Sequence, residues 1–175
     1  MKKKFMKAGA CVLSAAMIMS LYAAPAFADW VENQNGARMW VQDGKAQTGW
    51  QQINGKWYYF DESGTMLTGW HKIDGKWYYF NSNSEALDGW NIINGAKYYF
   101  GKTNHFMYTG YKVISGELYY FNASGACQGV DNTFTGWHQQ DGDWYYIQKG
   151  HVTTGTIAVD GRLYGFDSNG VWIAD

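Results

Sequence analysis

A phrase of about 20 residues recurs along most of this chain: Gly-Trp, about five residues, a glycine, and then an aromatic run. Two full copies occupy 49–68 and 69–88, and weaker copies begin at 89, 110, 136 and 155. A unit this short cannot bury a core of its own, so successive copies have to stack and share one. The repeat therefore predicts an all-β solenoid, a superhelix of stacked β-hairpins, rather than a globular sandwich.

A turn signal precedes the aromatic run in each copy. In the first full copy, Asn54-Gly55 separates two short β-prone runs, and both residues accept the positive φ of a type I′ turn. A two-residue loop then pairs Trp50 with Tyr59, and strand alternation places Trp50, Trp57 and Tyr59 on one face. The alternate aromatic residues point to the other face, where they can pack into the stack.

The first 28 residues have the pattern of a secretion signal. Four lysines lie near the start, an apolar stretch runs from 8 to 24, and Ala26-Phe27-Ala28 fits a signal-peptidase site. As a membrane anchor the stretch would be short, and serines and Pro25 interrupt it. We expect cleavage after Ala28, export, and no membrane span in the remaining residues, 29–175.

Cleavage would leave 10 basic and 15 acidic residues, a formal net charge of −5. A mildly acidic chain without a basic run cannot neutralise phosphates, which argues against nucleic acid as a partner. Cys127 would be the single remaining cysteine, so no internal disulfide could form. We expect aromatic packing and strand pairing to stabilise the fold instead.

The copies differ in quality, which indicates caps at both ends. We expect an N-terminal capping repeat at 29–48, repeats at 49–68, 69–88, 89–109, 110–135 and 136–154, and a C-terminal capping repeat at 155–175. The connection from 122 to 135 is about five residues longer than its counterparts. This insertion predicts a bulge or a kink.

These units resemble the choline-binding, or cell-wall-binding, repeats of Gram-positive surface proteins and phage-type lysins. The resemblance covers nearly all of 30–175 and is most specific in 49–100 and 136–147. It implies choline sites in the grooves between successive repeats. Each implied site is a cage of two rings from one repeat and a third from the next, often closed by an apolar residue. The implied ligand is phosphocholine on teichoic or lipoteichoic acid, with no metal or organic cofactor.

The chemistry of choline suits such cages. A trimethylammonium group donates no hydrogen bond, whereas electron-rich ring faces attract its spread positive charge and replace water around its methyl groups. Each ring contributes about 0.5–2 kcal/mol, so a three-ring cage binds at about millimolar affinity. Weak single sites suit a polymer that bears many cholines, because tethering raises the effective concentration.

Matching the resemblance residue by residue gives three candidate cages, and we expect two or three of them to work. The first combines Trp50 and Trp57 with Trp70 or Tyr79 of the next hairpin and with Met66 as an apolar wall. The second combines Trp70 and Trp77 with Trp90 or Tyr99 and with Leu87 in the place of the methionine. The third combines Trp137 and Trp144 with Tyr164. The sequence leaves open which neighbouring ring closes each cage.

Other units lack the second ring of the cage. Lys97 stands where Trp57 and Trp77 do, and its ammonium group would repel choline, so we expect the site beside Trp90 to be lost. Leu118 and Leu163 replace the same ring in later units.

Three other functions compete with choline binding. Similar aromatic repeats bind glucans by stacking rings on sugar faces, so wall polysaccharide is an alternative partner. A surface adhesin or a structural spacer is the second alternative. An enzyme is disfavoured because the acidic residues lie mainly at turns and the four histidines have no paired base, nucleophile or metal-ligand spacing.

Overall fold

The computed structural model describes residues 28–32 and 36–173, which form eighteen β-strands and contain no helix. The all-β prediction is therefore confirmed. None of the described residues lies in a helix suited to crossing a bilayer. Residues 1–27 of the predicted signal segment lie outside the described residues, so cleavage stays a prediction, as does the division into seven repeats. The chain divides into two compact units, one containing 28–72 and 79–86 and the other 73–78 and 87–173.

The first unit contains a three-stranded sheet followed by hairpins. Its strands are β1 (Asp29–Glu32), β2 (Arg38–Gln42), β3 (Lys45–Ala46), β4 (Gly49–Ile53) and β5 (Lys56–Phe60). Strands β1, β2 and β3 pair in that order, and β4 pairs with β5. The next hairpin consists of β6 (Gly69–Ile73) and β7 (Lys76–Phe80), and its residues are divided between the two units.

The second unit contains a hairpin, a six-stranded sheet and a three-stranded sheet. The hairpin is formed by β8 (Gly89–Ile93) and β9 (Ala96–Phe100). The six-stranded sheet is formed by β10 (Gly110–Ile114), β11 (Glu117–Phe121), β12 (Cys127–Val130), β13 (Gly136–Gln140), β14 (Asp143–Gln148) and β15 (His151–Val152). The last sheet is formed by β16 (Gly155–Val159), β17 (Arg162–Phe166) and β18 (Trp172–Ile173).

The long connection between β11 and β13 is part of the six-stranded sheet. It contributes β12, which pairs with β11 through a register shift between Tyr120 and Phe121. Strand β15 lies between β11 and β14 and so joins two hairpins into one sheet. The bulge predicted from the longer connection is confirmed.

Type I′ turns fix the register of the hairpins. Asn54 and Gly55 have φ values of 51° and 77°, the two successive positive values that this turn requires. The register pairs Trp50 with Tyr59 and Gln52 with Trp57, which confirms the predicted pairing. Two successive positive φ values recur at 74–75, 94–95, 115–116, 141–142 and 160–161.

Buried phenylalanines contribute to the core of both units. Each ends the aromatic run of its hairpin and is at most 1% exposed: Phe60, Phe80, Phe100 and Phe121. Each also pairs with a residue of the loop that follows: Met66, Ala86, Met107 and Cys127 respectively. We call these four the bridge residues.

Three bridge residues hydrogen-bond to the preceding hairpin through the backbone. The N–H of Met66 donates to the carbonyl of Arg38 at 3.3 Å, that of Ala86 to Trp57 at 2.8 Å, and that of Met107 to Trp77 at 2.7 Å. These bonds join one repeat to the next. Because they use main-chain atoms, the side chain at the accepting position can vary from repeat to repeat.

A side-chain cap organises four of the loops that follow an aromatic run. The Oδ1 atom of Asp61 accepts the backbone N–H groups of Ser63 and Thr65, both at 2.9 Å. Desolvation by burial raises the pKa of Asp61, but the hydrogen bonds from Ser63 and Thr65 outweigh it and leave the pKa below its ordinary value. Asn81, Asn122 and Asp167 form the same pair of bonds. These polar residues therefore have a structural role.

Candidate aromatic ligand site

Two positions recur on one face of every hairpin. The first-ring position is the residue that follows the opening glycine, or its equivalent: Trp30, Trp50, Trp70, Trp90, Tyr111, Trp137 and Thr156. The second-ring position is the first aromatic of the run, or its replacement: Arg38, Trp57, Trp77, Lys97, Leu118, Trp144 and Leu163. The residue at the second-ring position differs most in chemistry from hairpin to hairpin.

An open aromatic cavity lies at the hairpin formed by β13 and β14. Trp137, Trp144, Tyr164 and Trp172, which we call the four-ring cup, line a cavity of about 340 Å³. The centroid of the Trp137 ring lies 6.3 Å from that of Trp144, 5.0 Å from Tyr164 and 6.0 Å from Trp172. The three rings meet Trp137 at 83°, 74° and 71°. Trp144 is 40% exposed and Trp172 is 36% exposed, so the cup is open to solvent.

The four-ring cup assembles residues from two successive hairpins and a final strand. Tyr164 comes from the hairpin after Trp137 and Trp144, at the place where the sequence put it. Trp172 on β18 pairs with Phe166, just as Met66 pairs with Phe60. The repeat pattern assigned Trp172 to the C-terminal capping repeat and did not identify its ring as part of a cage. Its spacing of six residues after Phe166, the same as from Phe60 to Met66, was the available signal.

The rings behind Trp137 hold it in place. Its centroid lies 5.3 Å from Tyr146, its partner across the hairpin, and 5.8 Å from the buried Phe166. Trp137 therefore belongs both to the packing of the repeat and to the wall of the cup, whereas Trp144 stands at the rim.

The Trp50 and Trp57 pair repeats the geometry of Trp137 and Trp144. The two centroids are 6.2 Å apart at 80°. Trp50 also packs against Tyr59 at 5.3 Å and against the buried Phe80 of the next hairpin at 5.7 Å. Phe80 is thus a described contact of Trp50 in the next hairpin, and closure of this cage by Trp70 or Tyr79 stays a prediction.

Backbone bonds bring the bridge residues close to the preceding hairpin, and the two predicted apolar walls stay predictions. Met66 donates its N–H to Arg38 of the hairpin before Trp50 and Trp57, and Ala86 donates its N–H to Trp57. The second predicted wall, Leu87, follows Ala86, the bridge residue of that loop. A bridge residue faces the preceding hairpin, and the repeat pattern alone does not reveal this direction.

The tryptophans of the second predicted cage at the first-ring position each contact a tyrosine of their own hairpin. Trp70 packs against Tyr79 of its own hairpin at 5.1 Å, and Trp90 against Tyr99 of its own at 5.0 Å. Trp77 is 43% exposed. It lines a groove of about 320 Å³ whose other lining side chains include Phe106, Met107 and Tyr108.

The histidines that follow the first-ring position differ in their surroundings. The Nε2 atom of His71 lies 2.9 Å from the carbonyl oxygen of Thr68. At the same position of the preceding hairpin, Gln51 donates to the carbonyl of Thr48 at 3.1 Å. The His71 ring thus makes the same structural contact that the Gln51 amide makes in the preceding hairpin. No group of three potential metal-ligating side chains occurs in 28–32 and 36–173.

The burial of His138 leads us to expect that the protein loses folding stability in mild acid. Its buried Nε2 atom has no hydrogen-bond partner among the described residues. Burial, helped by the positive charge of Lys112, lowers the pKa of His138 below its ordinary 6.5. The unfolded chain therefore binds this proton more readily, so the stability is fully present above about pH 6.5 and is lost as the pH falls through the folded-state pKa.

Urea unfolding between about pH 7 and about pH 5.5 tests this prediction. His138→Gln is expected to flatten the pH dependence of the midpoint, and His151→Gln, which changes an exposed histidine, is the control. An unchanged slope in His138→Gln would contradict the assignment.

The matches to known families follow the repeats. Residues 47–88 match the family described as "Choline-binding repeat". Residues 109–127 and 135–149 match the family described as "Putative cell wall binding repeat". No curated protein sequence matches the chain.

Solved structures of similar proteins cover most of this chain. Choline-binding protein F from Streptococcus pneumoniae is 34% identical with a TM-score of 0.54, over 82% of this chain and 51% of that protein. The same protein in the presence of a peptidoglycan analogue, a tetrasaccharide-pentapeptide, gives 33% and 0.54 with the same coverage. CbpJ from Streptococcus pneumoniae TIGR4 is 30% identical with a TM-score of 0.52, over 82% and 51%. The chain spans about half the length of these proteins.

The hairpins, their ring positions and these structures define the class of protein: an all-β solenoid of aromatic hairpin repeats, as the sequence predicted. The family matches go one step further. The chain is built from choline-binding repeats and belongs to the choline-binding repeat family.

Proposed function

We propose that this protein is a non-catalytic cell-wall-binding protein that attaches to choline-substituted teichoic or lipoteichoic acids. The observation that carries the proposal is the four-ring cup, an open cavity of about 340 Å³ lined by three tryptophans and a tyrosine. The solved relatives support it, because they are choline-binding proteins and one was determined in the presence of a peptidoglycan analogue. In this proposal 1–28 is removed as a signal and the protein is secreted to the cell surface.

The lining of the four-ring cup suits a quaternary ammonium group. Rings set at 71° to 83° around Trp137 offer a concave aromatic surface to one cation. The lining side chains carry no formal charge, so the attraction comes from ring faces, which tolerate a cation that accepts and donates no hydrogen bond. At about 0.5–2 kcal/mol per ring, the cup would bind one choline at about millimolar affinity.

Retention on the wall would come from several sites acting together. We propose the pair of Trp50 and Trp57, the single residues Trp70 and Trp77, and the four-ring cup as the choline-binding elements of the chain. Linked sites raise the overall avidity by about 10²- to 10⁴-fold when the polymer engages them simultaneously. A tandem array of weak sites therefore explains how millimolar cages could hold a protein on a polymer.

Elution from a choline-bearing resin tests this function against glucan binding. The folded protein is expected to bind the resin and to elute with free choline at about millimolar to tens of millimolar concentration. Elution by a glucan oligosaccharide, but not by choline, would assign the rings to sugar stacking instead. Failure to bind the resin at all would contradict the proposal.

A further inference from the structure

The rings around Trp90 reproduce the rings around Trp137. The centroid of Trp90 lies 5.0 Å from Tyr99, 4.9 Å from Tyr119 and 5.7 Å from Phe121. The corresponding distances from Trp137 are 5.3 Å, 5.0 Å and 5.8 Å, to Tyr146, Tyr164 and Phe166. Trp90 and Tyr119 therefore correspond to two of the lining rings of the four-ring cup, in a hairpin whose sequence indicates a lost site, whereas Cys127 stands where Trp172 does.

The hairpin of Trp90 also differs from the hairpin of Trp137 in the residue at the second-ring position. Lys97 replaces the ring of Trp144, and its Nζ atom lies 4.1 Å from the centroid of Trp90. This is well within the distance of about 6 Å at which a cation is attracted to a ring face. The ammonium group thus occupies the ring face on which a ligand cation would sit.

The same exchange occurs in the first hairpin. Arg38 is at the second-ring position, and its Cζ atom lies 4.8 Å from the centroid of Trp30. Trp30 is surrounded by Trp40 at 5.0 Å, Tyr58 at 5.4 Å and Phe60 at 6.2 Å. In both hairpins that carry a cation at this position, the cation lies over the tryptophan at the first-ring position.

We propose that Lys97 is a built-in ligand: its ammonium group fills the aromatic cage formed by Trp90 and Tyr119, which is a latent site for a quaternary ammonium ligand. The inference rests on the proposed function, because it assigns the same ligand class to the same kind of cage. It goes beyond simple repulsion, since it places the Lys97 ammonium group on the ring face of Trp90 and therefore predicts a ring-current shift of the lysine protons.

Tethering makes the lysine an effective competitor. A group held on the same strand as the cage wall has an effective concentration of about millimolar or more, similar to the affinity of a single cage for free choline. Because the Lys97 ammonium group is tethered to the chain, it can leave the ring for water without diffusing away, whereas a free methylated cation diffuses away. The cage is therefore closed to choline at concentrations that fill the four-ring cup.

Nuclear magnetic resonance of the indole N–H groups of the full chain tests the proposal. In the wild type, choline is expected to move the signals of Trp137 and Trp144 but not that of Trp90. Lys97→Trp is expected to add one binding event with about millimolar midpoint that moves the Trp90 signal. Lys97→Gln is expected to give a weaker response of the same signal. Lys102→Gln removes a nearby exposed charge and is expected to behave as wild type.

A second readout needs no ligand. The Hε protons of Lys97 are expected to show an upfield ring-current shift in the wild type, and those of Lys102 are not. An ordinary Hε shift for Lys97, or a Trp90 response as strong in the wild type as in Lys97→Gln, would overturn the proposal, as would a folded Lys97→Trp variant without an added site. If no tryptophan of the wild type responded to choline, the proposed function would fail, and the ring-current shift would still decide whether Lys97 occupies the cage.

Discussion

Replacing Trp57, Trp77 and Trp144 together by alanine is expected to abolish retention on a choline-bearing resin while leaving the chain folded. Losing one ring at about 0.5–2 kcal/mol weakens a site by about 2- to 30-fold. Losing one from each of three sites also removes an avidity gain of about 10²- to 10⁴-fold. Trp77 and Trp144 are 43% and 40% exposed, so their removal empties little of the core.

The backbone bonds at two of these three positions do not depend on the side chain. Trp57 and Trp77 accept the hydrogen bonds that join successive repeats through their carbonyl oxygens, which alanine retains. The measurement compares resin binding with thermal unfolding. A control variant with Ile92→Ala and Leu163→Ala removes side chains that are 76% and 72% exposed but carry no ring. Normal resin binding by the triple tryptophan variant would refute the cage account.

Phe121→Ala is expected to lower the free energy of unfolding by about 3–5 kcal/mol, the usual cost of emptying a buried phenylalanine site. Phe121 is 0% exposed, pairs with Cys127 and lies 5.7 Å from the ring of Trp90. Since a domain is stable by only about 5–15 kcal/mol, this loss takes a large share of the total.

The neighbouring residue on the same strand is the matched control. Tyr120 is 40% exposed and points to the opposite face, so Tyr120→Ala is expected to cost much less than Phe121→Ala. Urea unfolding of both variants measures the difference. An equal loss of unfolding free energy in the two variants would mean that the buried phenylalanines do not form the core.

Local chemistry explains why the hairpins were predictable. The residue pair Asn54-Gly55 specifies a type I′ turn, and that turn fixes the pairing of Trp50 with Tyr59 without reference to the rest of the chain. Alternation along the strand then separates exposed rings from buried ones, as Trp77 and Phe80 illustrate. The bulge beside Phe121 was likewise predictable, from the extra length of one connection.

The partners across repeats were harder to predict, because the stacking is not written in the repeat itself. Met66 was assigned to the rings of its own repeat, but its N–H bonds to Arg38 of the hairpin before it. Trp172 was treated as part of a cap, although it lines the four-ring cup. A repeat pattern gives the position of a residue within its unit, whereas the direction in which it faces depends on long-range packing.

The structure also changes the interpretation of the degenerate repeat at 89–109. The sequence indicates repulsion between Lys97 and choline. The position of the Lys97 ammonium group, 4.1 Å from the centroid of Trp90, indicates occupation instead. Repulsion and occupation both predict a wild-type site that is silent and that binds once the lysine is replaced, and only occupation predicts the upfield ring-current shift of the Lys97 Hε protons.

A crystal structure of the protein grown with choline tests the central claim most directly. We expect a trimethylammonium group in the four-ring cup, its nitrogen within about 6 Å of the centroids of Trp137, Trp144 and Trp172, and Lys97 still over Trp90. A cup that stays empty at saturating choline, or closes because its indole rings pack against one another, would contradict the account.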